Sequence, residues 1–153
     1  MLSVIFLDID MVLNTLDFIN NHPSSNTDNH IDPDKISILN RIIKATGMKV
    51  VISSTWRATF SPQRMQDHLI KFGFIGQVID NTDDNNKSRF NQIQDWMDNN
   101  LVEDFVIIDD DGVMDHLIHM PSFKSIADKH FFQTNPKIGL TNDIADRIIG
   151  RKI

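Results

Sequence analysis

The sequence predicts an α/β fold: a Rossmann-like three-layer α/β/α sandwich built on a mainly parallel five-stranded sheet, with at most a minimal cap. Three observations carry this expectation. Residues 2–7 and 105–108 are continuously apolar, apolar residues recur at helical spacing between such runs, and polar residues follow each run. Unbroken apolar runs suit strands covered on both faces of a parallel sheet, and their alternation with helical stripes defines the α/β class.

Residues 2–7 are the first strand, and Met48-Lys49-Val50-Val51-Ile52-Ser53 the second. Gln77-Val78-Ile79-Asp80 is the third, Phe105-Val106-Ile107-Ile108 the fourth and His130-Phe131-Phe132 an edge. The helices fall between them. Asp32-Pro33 supplies an N-cap and a proline at the first helical position; Ile36, Leu39, Ile42 and Ile43 follow at helical spacing up to Gly47. Ser61-Pro62 opens a second helix carrying Met65, Leu69 and Phe72 and ending at Gly73, and Phe90, Ile93, Trp96, Met97 and Leu101 mark a third. Thr141 caps a last one bearing Ile144, Ala145, Ile148 and Ile149, closed by Gly150. Such stripes belong to the core. Residues 20–30 are polar and rich in turn formers, a surface loop directly after the first strand; its two histidines are better explained by a solvated loop than by metal binding.

With 153 residues, no repeat and no linker, the chain is expected to form one domain, 1–153. A domain of this size buries roughly 70% of its unfolded surface. No apolar run approaches the ~20 residues of a membrane span, and no basic segment precedes the first strand as in a secretory signal. Cysteine is absent, which removes disulfides, thiolate nucleophiles and cysteine-bound zinc and fits a reducing, cytoplasmic setting. The net charge of −6 speaks weakly against a dedicated nucleic-acid binder, although acids gathered around a metal would inflate that count.

Sites in parallel α/β sheets form beyond the carboxyl ends of the strands. Asp8 and Asp10 follow the first strand, Ser53, Ser54 and Thr55 the second, and Asp109, Asp110 and Asp111 the fourth, with Asp115 one turn further on. Any one of these acids could be a helix cap. Their convergence at two strand ends would be self-repelling without a cation, and an all-oxygen donor set favours magnesium over zinc. Asp8 and Asp10 are two residues apart, on the same side of an extended chain and ~6.5–7 Å from one another. One carboxylate can then attack a phosphorus while the other handles the leaving-group proton, two tasks that a single carboxylate cannot combine.

These segments resemble the haloacid dehalogenase (HAD) superfamily of phosphohydrolases. Asp8-Ile9-Asp10-Met11-Val12 is similar to its first motif, Asp-x-Asp-x-(Thr/Val), and Leu13-Asn14 to a common continuation; Met11 stands where glycine is frequent, at a position that varies across the superfamily. Val50-Val51-Ile52-Ser53 resembles the second motif and Ile107-Ile108-Asp109-Asp110 the fourth. For the third, a lone basic residue near a helix start, Lys87 fits and Arg89 competes. The extension Ser54-Thr55-Trp56-Arg57, the acidic run at 109–111 and Gly139-Leu140-Thr141 resemble a small subgroup found near RNA-repair and phage proteins.

The resemblance implies a magnesium-dependent phosphatase. Asp8 would be the nucleophile and Asp10 the acid and base. Asp8, Asp10 (through its backbone carbonyl), Asp110 and neighbouring Asp109 would hold magnesium. Ser53 and Ser54 would bind the phosphate, Lys87 or Arg89 would offset its charge, and Arg57 is either a further phosphate contact or a surface salt-bridge arginine. The gaps between motifs have no room for a large cap, so the site should be open to a phosphorylated protein or a polynucleotide end, or to many small phosphates. A basic strip of Lys124, Lys129, Lys137, Arg147, Arg151 and Lys152 beside the cleft would favour nucleic acid. A module that kept the fold and lost turnover is the competing expectation.

Overall fold

Five strands form one sheet in the order β3-β2-β1-β4-β5, and every neighbouring pair is parallel. They are β1 (Leu2–Leu7), β2 (Lys49–Ile52), β3 (Val78–Asn81), β4 (Val102–Asp109) and β5 (Phe131–Gln133). The computed structural model describes residues 1–22, 30–84, 87–111 and 128–151. Asp115, Lys124, Lys152 and residues 23–29 of the polar loop lie outside them.

Successive side chains of β1 face opposite layers. Ile5 and Leu7 join the larger core with α2 (Pro33–Thr46), α3 (Pro62–Ile70) and α5 (Asn142–Ile149). Val4 and Phe6 join the smaller one, where Ile93 and Trp96 of α4 (Arg89–Asp98) cover the sheet. There Trp96 meets Phe6 edge-on, ring centroids 5.6 Å apart. This is the three-layer α/β/α arrangement of a Rossmann-like fold, with the sheet entirely parallel rather than mainly so. No helix among the described residues is long and apolar enough to cross a membrane.

The helix ends obey local chemistry. Asp32, Ser61, Ser88 and Thr141 each accept a backbone N–H as N-caps of α2, α3, α4 and α5, and Gly47 closes α2 in the left-handed conformation at φ 69°. Three expectations shift. Leu101 is not on the α4 stripe: the side chains of Asn99 and Asn100 bond back to the carbonyls of Asp95 and Trp96, so the helix stops at Asp98 and Leu101 is exposed. A short helix, α1 (Leu16–Asn21), precedes the polar loop; it buries no residue, so it left no apolar stripe in the sequence. β4 begins at Val102 rather than 105, because Arg151 pairs with Asp104 at 2.7 Å and lets that acid lie buried within the strand.

The loop after β1 is braced from the far end of the chain. Met11 sits at φ 65°, the left-handed region. Its N–H donates to Asn14 Oδ1 (2.8 Å) and its carbonyl accepts from Thr134 Oγ1 (2.8 Å). The Leu140 N–H donates to the Val12 carbonyl, and a Cβ on Gly139 would stand 3.0–3.1 Å from the carbonyl oxygens of Asn14 and Val12. The Gly139-Leu140-Thr141 segment is thus a brace for this loop and the cap of α5. A side chain at position 11 therefore carries a conformational cost: Met11→Gly is expected to stabilise the fold by ~1 kcal/mol, read as a rise of about 2–4 °C in melting temperature.

Candidate active site

Strand register builds the site. Leu7 pairs with Ile52 on one side and Ile108 on the other, so Asp8 emerges between Ser53 and Asp109. The Asp8 N–H donates to the Ile108 carbonyl, and the Ser53 N–H to the Leu7 carbonyl. The sheet order reverses between β1 and β4, and that switch point is where open α/β sheets form their crevice.

Asp8, Asp109 and Asp110 bring one carboxylate oxygen each within 4.8 Å of one another, a set able to hold a metal ion. Asp8 and Asp109 are almost fully buried, at 4% and 0% exposure. Burial first, then the Asp109 charge and a hydrogen bond to Asp110, push the Asp8 carboxyl up to about 9, against the pull of Arg89. Burial raises Asp109 as well, although Arg89 opposes it. Buried like-charged acids with hard oxygen donors are what a magnesium site requires, so these residues fit the ion.

Arg89, from the first turn of α4, brings a basic side chain to this cluster: Nη1 lies 2.8 Å from Asp109 Oδ2 and 3.5 Å from Asp8 Oδ2. Burial would lower its pKa, but Asp109 and Asp8 outweigh that and raise it. Lys87 instead pairs with Asp95 of α4 at 2.7 Å, with half its side chain exposed. The two serines also differ. Ser54 Oγ caps a single 3-10 turn, Thr55–Ala58, whereas Ser53 Oγ is buried with no hydrogen-bond partner in the structure. An unspent hydroxyl beside a carboxylate cluster is available to an incoming oxyanion.

Asp10 stands apart from the three-carboxylate cluster. Its carboxylate accepts from Asn14 Nδ2 at 3.3 Å, and Asn14, fully buried, also donates to the His30 carbonyl. Asn14 thereby orients Asp10, a role no spacing announces, although the residue lies within the quoted first-motif continuation. Arg57 is not a surface arginine: its side chain is 11% exposed. It donates to the Ser54 carbonyl and to Gln92 Oε1, and buried Gln92 donates in turn to the Lys87 carbonyl. This relay ties the turn after β2 to the entrance of α4 and so to Arg89. Burial lowers the Arg57 pKa, while Asp84, 3.9 Å away, pulls it back.

Of the expected basic strip, two described members have partners of their own. Arg151 is bound to Asp104 near the amino ends of the strands, beside a separate hollow of about 390 Å³, and the Arg147 guanidinium lies over the Phe132 ring. On the Asp10 side, a groove of about 500 Å³ is lined by Asp10, Met11, Ile19, His30, Thr55, Trp56, Thr59 and Phe60.

Comparison with curated proteins and with solved structures gives no match. A family model does match, over residues 4–145, which runs from within β1 into α5 and includes every residue of the carboxylate cluster. Its description is the HAD domain in Swiss Army Knife RNA repair proteins, and the chain belongs to that family.

Proposed function

We propose that the protein is a magnesium-dependent phosphomonoesterase that works through an aspartyl-phosphate on Asp8. The observation that carries this reading is buried Asp8 flanked by Asp109, Asp110 and Arg89, with the unspent Ser53 hydroxyl one strand away. An Asp8 oxygen attacks phosphorus and the bond to the leaving oxygen breaks; Asp10 delivers a proton to that oxygen. Asp10 then takes a proton from the water that cleaves the acyl phosphate, restoring Asp8 and releasing phosphate. Ser53 and Arg89 hold the phosphoryl oxygens, positioning and charge offset being most of what phosphoryl transfer needs. Magnesium, held by Asp8, Asp109 and Asp110 with the Asp10 backbone carbonyl, would supply the positive charge that keeps Asp8 ionised.

Arg57 and Gln92 act as positioning residues in this scheme. Gln92→Leu cuts the relay to Arg89, and kcat/KM should fall about tenfold, since small displacements of charge-bearing groups are costly. Steady-state kinetics on an aryl phosphate check it.

The intervals between the motifs leave no room for a large cap, so an open site is expected. That openness suits a phosphate on a macromolecule, a phosphoprotein or a polynucleotide end, and the RNA-repair setting of the family supports the latter. Hydrolysis of an aryl phosphate with and without magnesium, plus acid trapping of the phosphoenzyme, tests the chemistry. Turnover that survives Asp8→Asn would overturn the nucleophile. Protein that binds magnesium yet is inert toward a broad phosphate panel would point to a binding module instead.

A further inference from the structure

The 3-10 turn Thr55–Ala58 follows directly on Ser53 and Ser54, and its two large side chains take different directions. Arg57 bonds to Gln92 and faces Asp84, on the side of α4. Trp56 instead lines the groove that Asp10 also lines. Its indole is stacked on Phe60, with ring centroids 5.5 Å apart and planes inclined by 25°. Met11, Ile19 and His30 also line it, and the exposed residues Thr55 and Thr59 add hydroxyls to the lining.

If Asp10 protonates the leaving oxygen, the group bearing that oxygen must lie on the Asp10 side of the phosphorus, which is where this groove is. Its volume suits a whole small-molecule moiety rather than a serine side chain. Among the described residues no lysine or arginine lines it and one carboxylate does, so a second phosphate would be unfavourable there. A half-buried indole already backed by a second ring offers a rigid, flat, uncharged face, which suits a planar group with polar edges.

We infer that the groove is the leaving-group subsite and that it takes a nucleoside, its base against Trp56 and the phosphate to be removed directed at Asp8. This rests on the phosphatase reading above and narrows it. The nucleoside could come from a mononucleotide or from the last residue of a strand whose further phosphates lie outside the groove.

The test has a binding arm and a kinetic arm. In Asp8→Asn protein, uncharged adenosine and uridine should quench indole fluorescence. Binding read by calorimetry should be lost in Asp8→Asn/Trp56→Leu, which keeps apolar packing, and return in Asp8→Asn/Trp56→Phe, which restores a ring against Phe60. Trp96 lies in the core on the other face of the sheet, so its signal should not respond. In the active enzyme, the ratio of kcat/KM for nucleoside monophosphates over glycerol phosphate should fall about tenfold or more in Trp56→Leu and recover in Trp56→Phe. Arms with 3′- and 5′-phosphorylated dinucleotides separate a strand end from a mononucleotide.

Nucleoside binding at Trp56 in a protein that hydrolyses nothing would overturn the phosphatase reading and leave the groove as a nucleoside site alone. Hydrolysis of all esters at a ratio that Trp56→Leu does not move would overturn the groove assignment and leave the phosphatase reading. Preference for a phosphoserine peptide over every nucleotide would also overturn it.

Discussion

Asp8→Asn is expected to abolish turnover and, in metal-free protein at pH 8, to raise the melting temperature by about 5 °C. The first effect should reach at least ~10⁴-fold in kcat, the scale seen when a nucleophile is removed. The second follows from the same burial that makes the residue useful. The folded, metal-free Asp8 carboxyl titrates at about 9 against 3.8 for the ordinary group. The folded chain therefore holds a proton that the unfolded chain gives up between those values. Stability from this group is fully present below pH 4 and is lost as pH rises toward 9. Asparagine keeps the shape without the charge, so the penalty at pH 8 disappears; a gain of ~1–2 kcal/mol in a chain of this length corresponds to the stated shift. Magnesium should have a parallel effect on the wild type. It should raise the melting temperature strongly at pH 8, weakly at pH 5, and hardly at all in Asp8→Asn. Differential scanning calorimetry in chelator and in magnesium across pH 5–9 checks all three expectations. A melting temperature of Asp8→Asn below that of the wild type in chelator at pH 8 would mean that Asp8 is not strained by its neighbours.

Arg89→Met should lower kcat by ~10²–10³, the usual consequence of removing a preorganised donor from developing negative charge. It should also destabilise the metal-free protein by ~3–5 kcal/mol, because Asp109 would be left buried without its 2.8 Å partner. Lys87→Met is the control. Its ion pair with Asp95 is half-exposed, so ~1 kcal/mol or less is expected in stability, with kcat nearly unchanged. Kinetics on an aryl phosphate and denaturant melts of both variants check the contrast, and reversed outcomes would return the role to Lys87.

That contrast also shows how far a sequence can be read. Asp8, Ser53, Asp109 and Asp110 were legible because each ends an apolar run, and in a parallel sheet such ends share one edge. The choice between Lys87 and Arg89 was not. Lys87 precedes the Ser88 cap and Arg89 is the first residue of α4, so the position of the cap decides which of them faces the carboxylates. Arg57 read as equally suited to surface or site, because its burial depends on Gln92, thirty-five residues away, accepting its hydrogen bond. Leu101 looked periodic because spacing carries no record of the two asparagines that end the helix before it. β4 looked short because the partner that lets Asp104 be buried lies at residue 151. Local rules therefore gave the strand ends, and the pairings across long separations remained unread.

Position 11 has a bearing on what selection would do to this protein. Its backbone conformation is one that glycine adopts freely and methionine does not, yet the methionine side chain forms part of the groove wall beside Asp10. A library randomised there and screened only for heat resistance should drift toward glycine. Screened for turnover of a substrate whose leaving group fills the groove, the same library should retain a side chain. The residue recovered would then report which of the two demands the screen had applied.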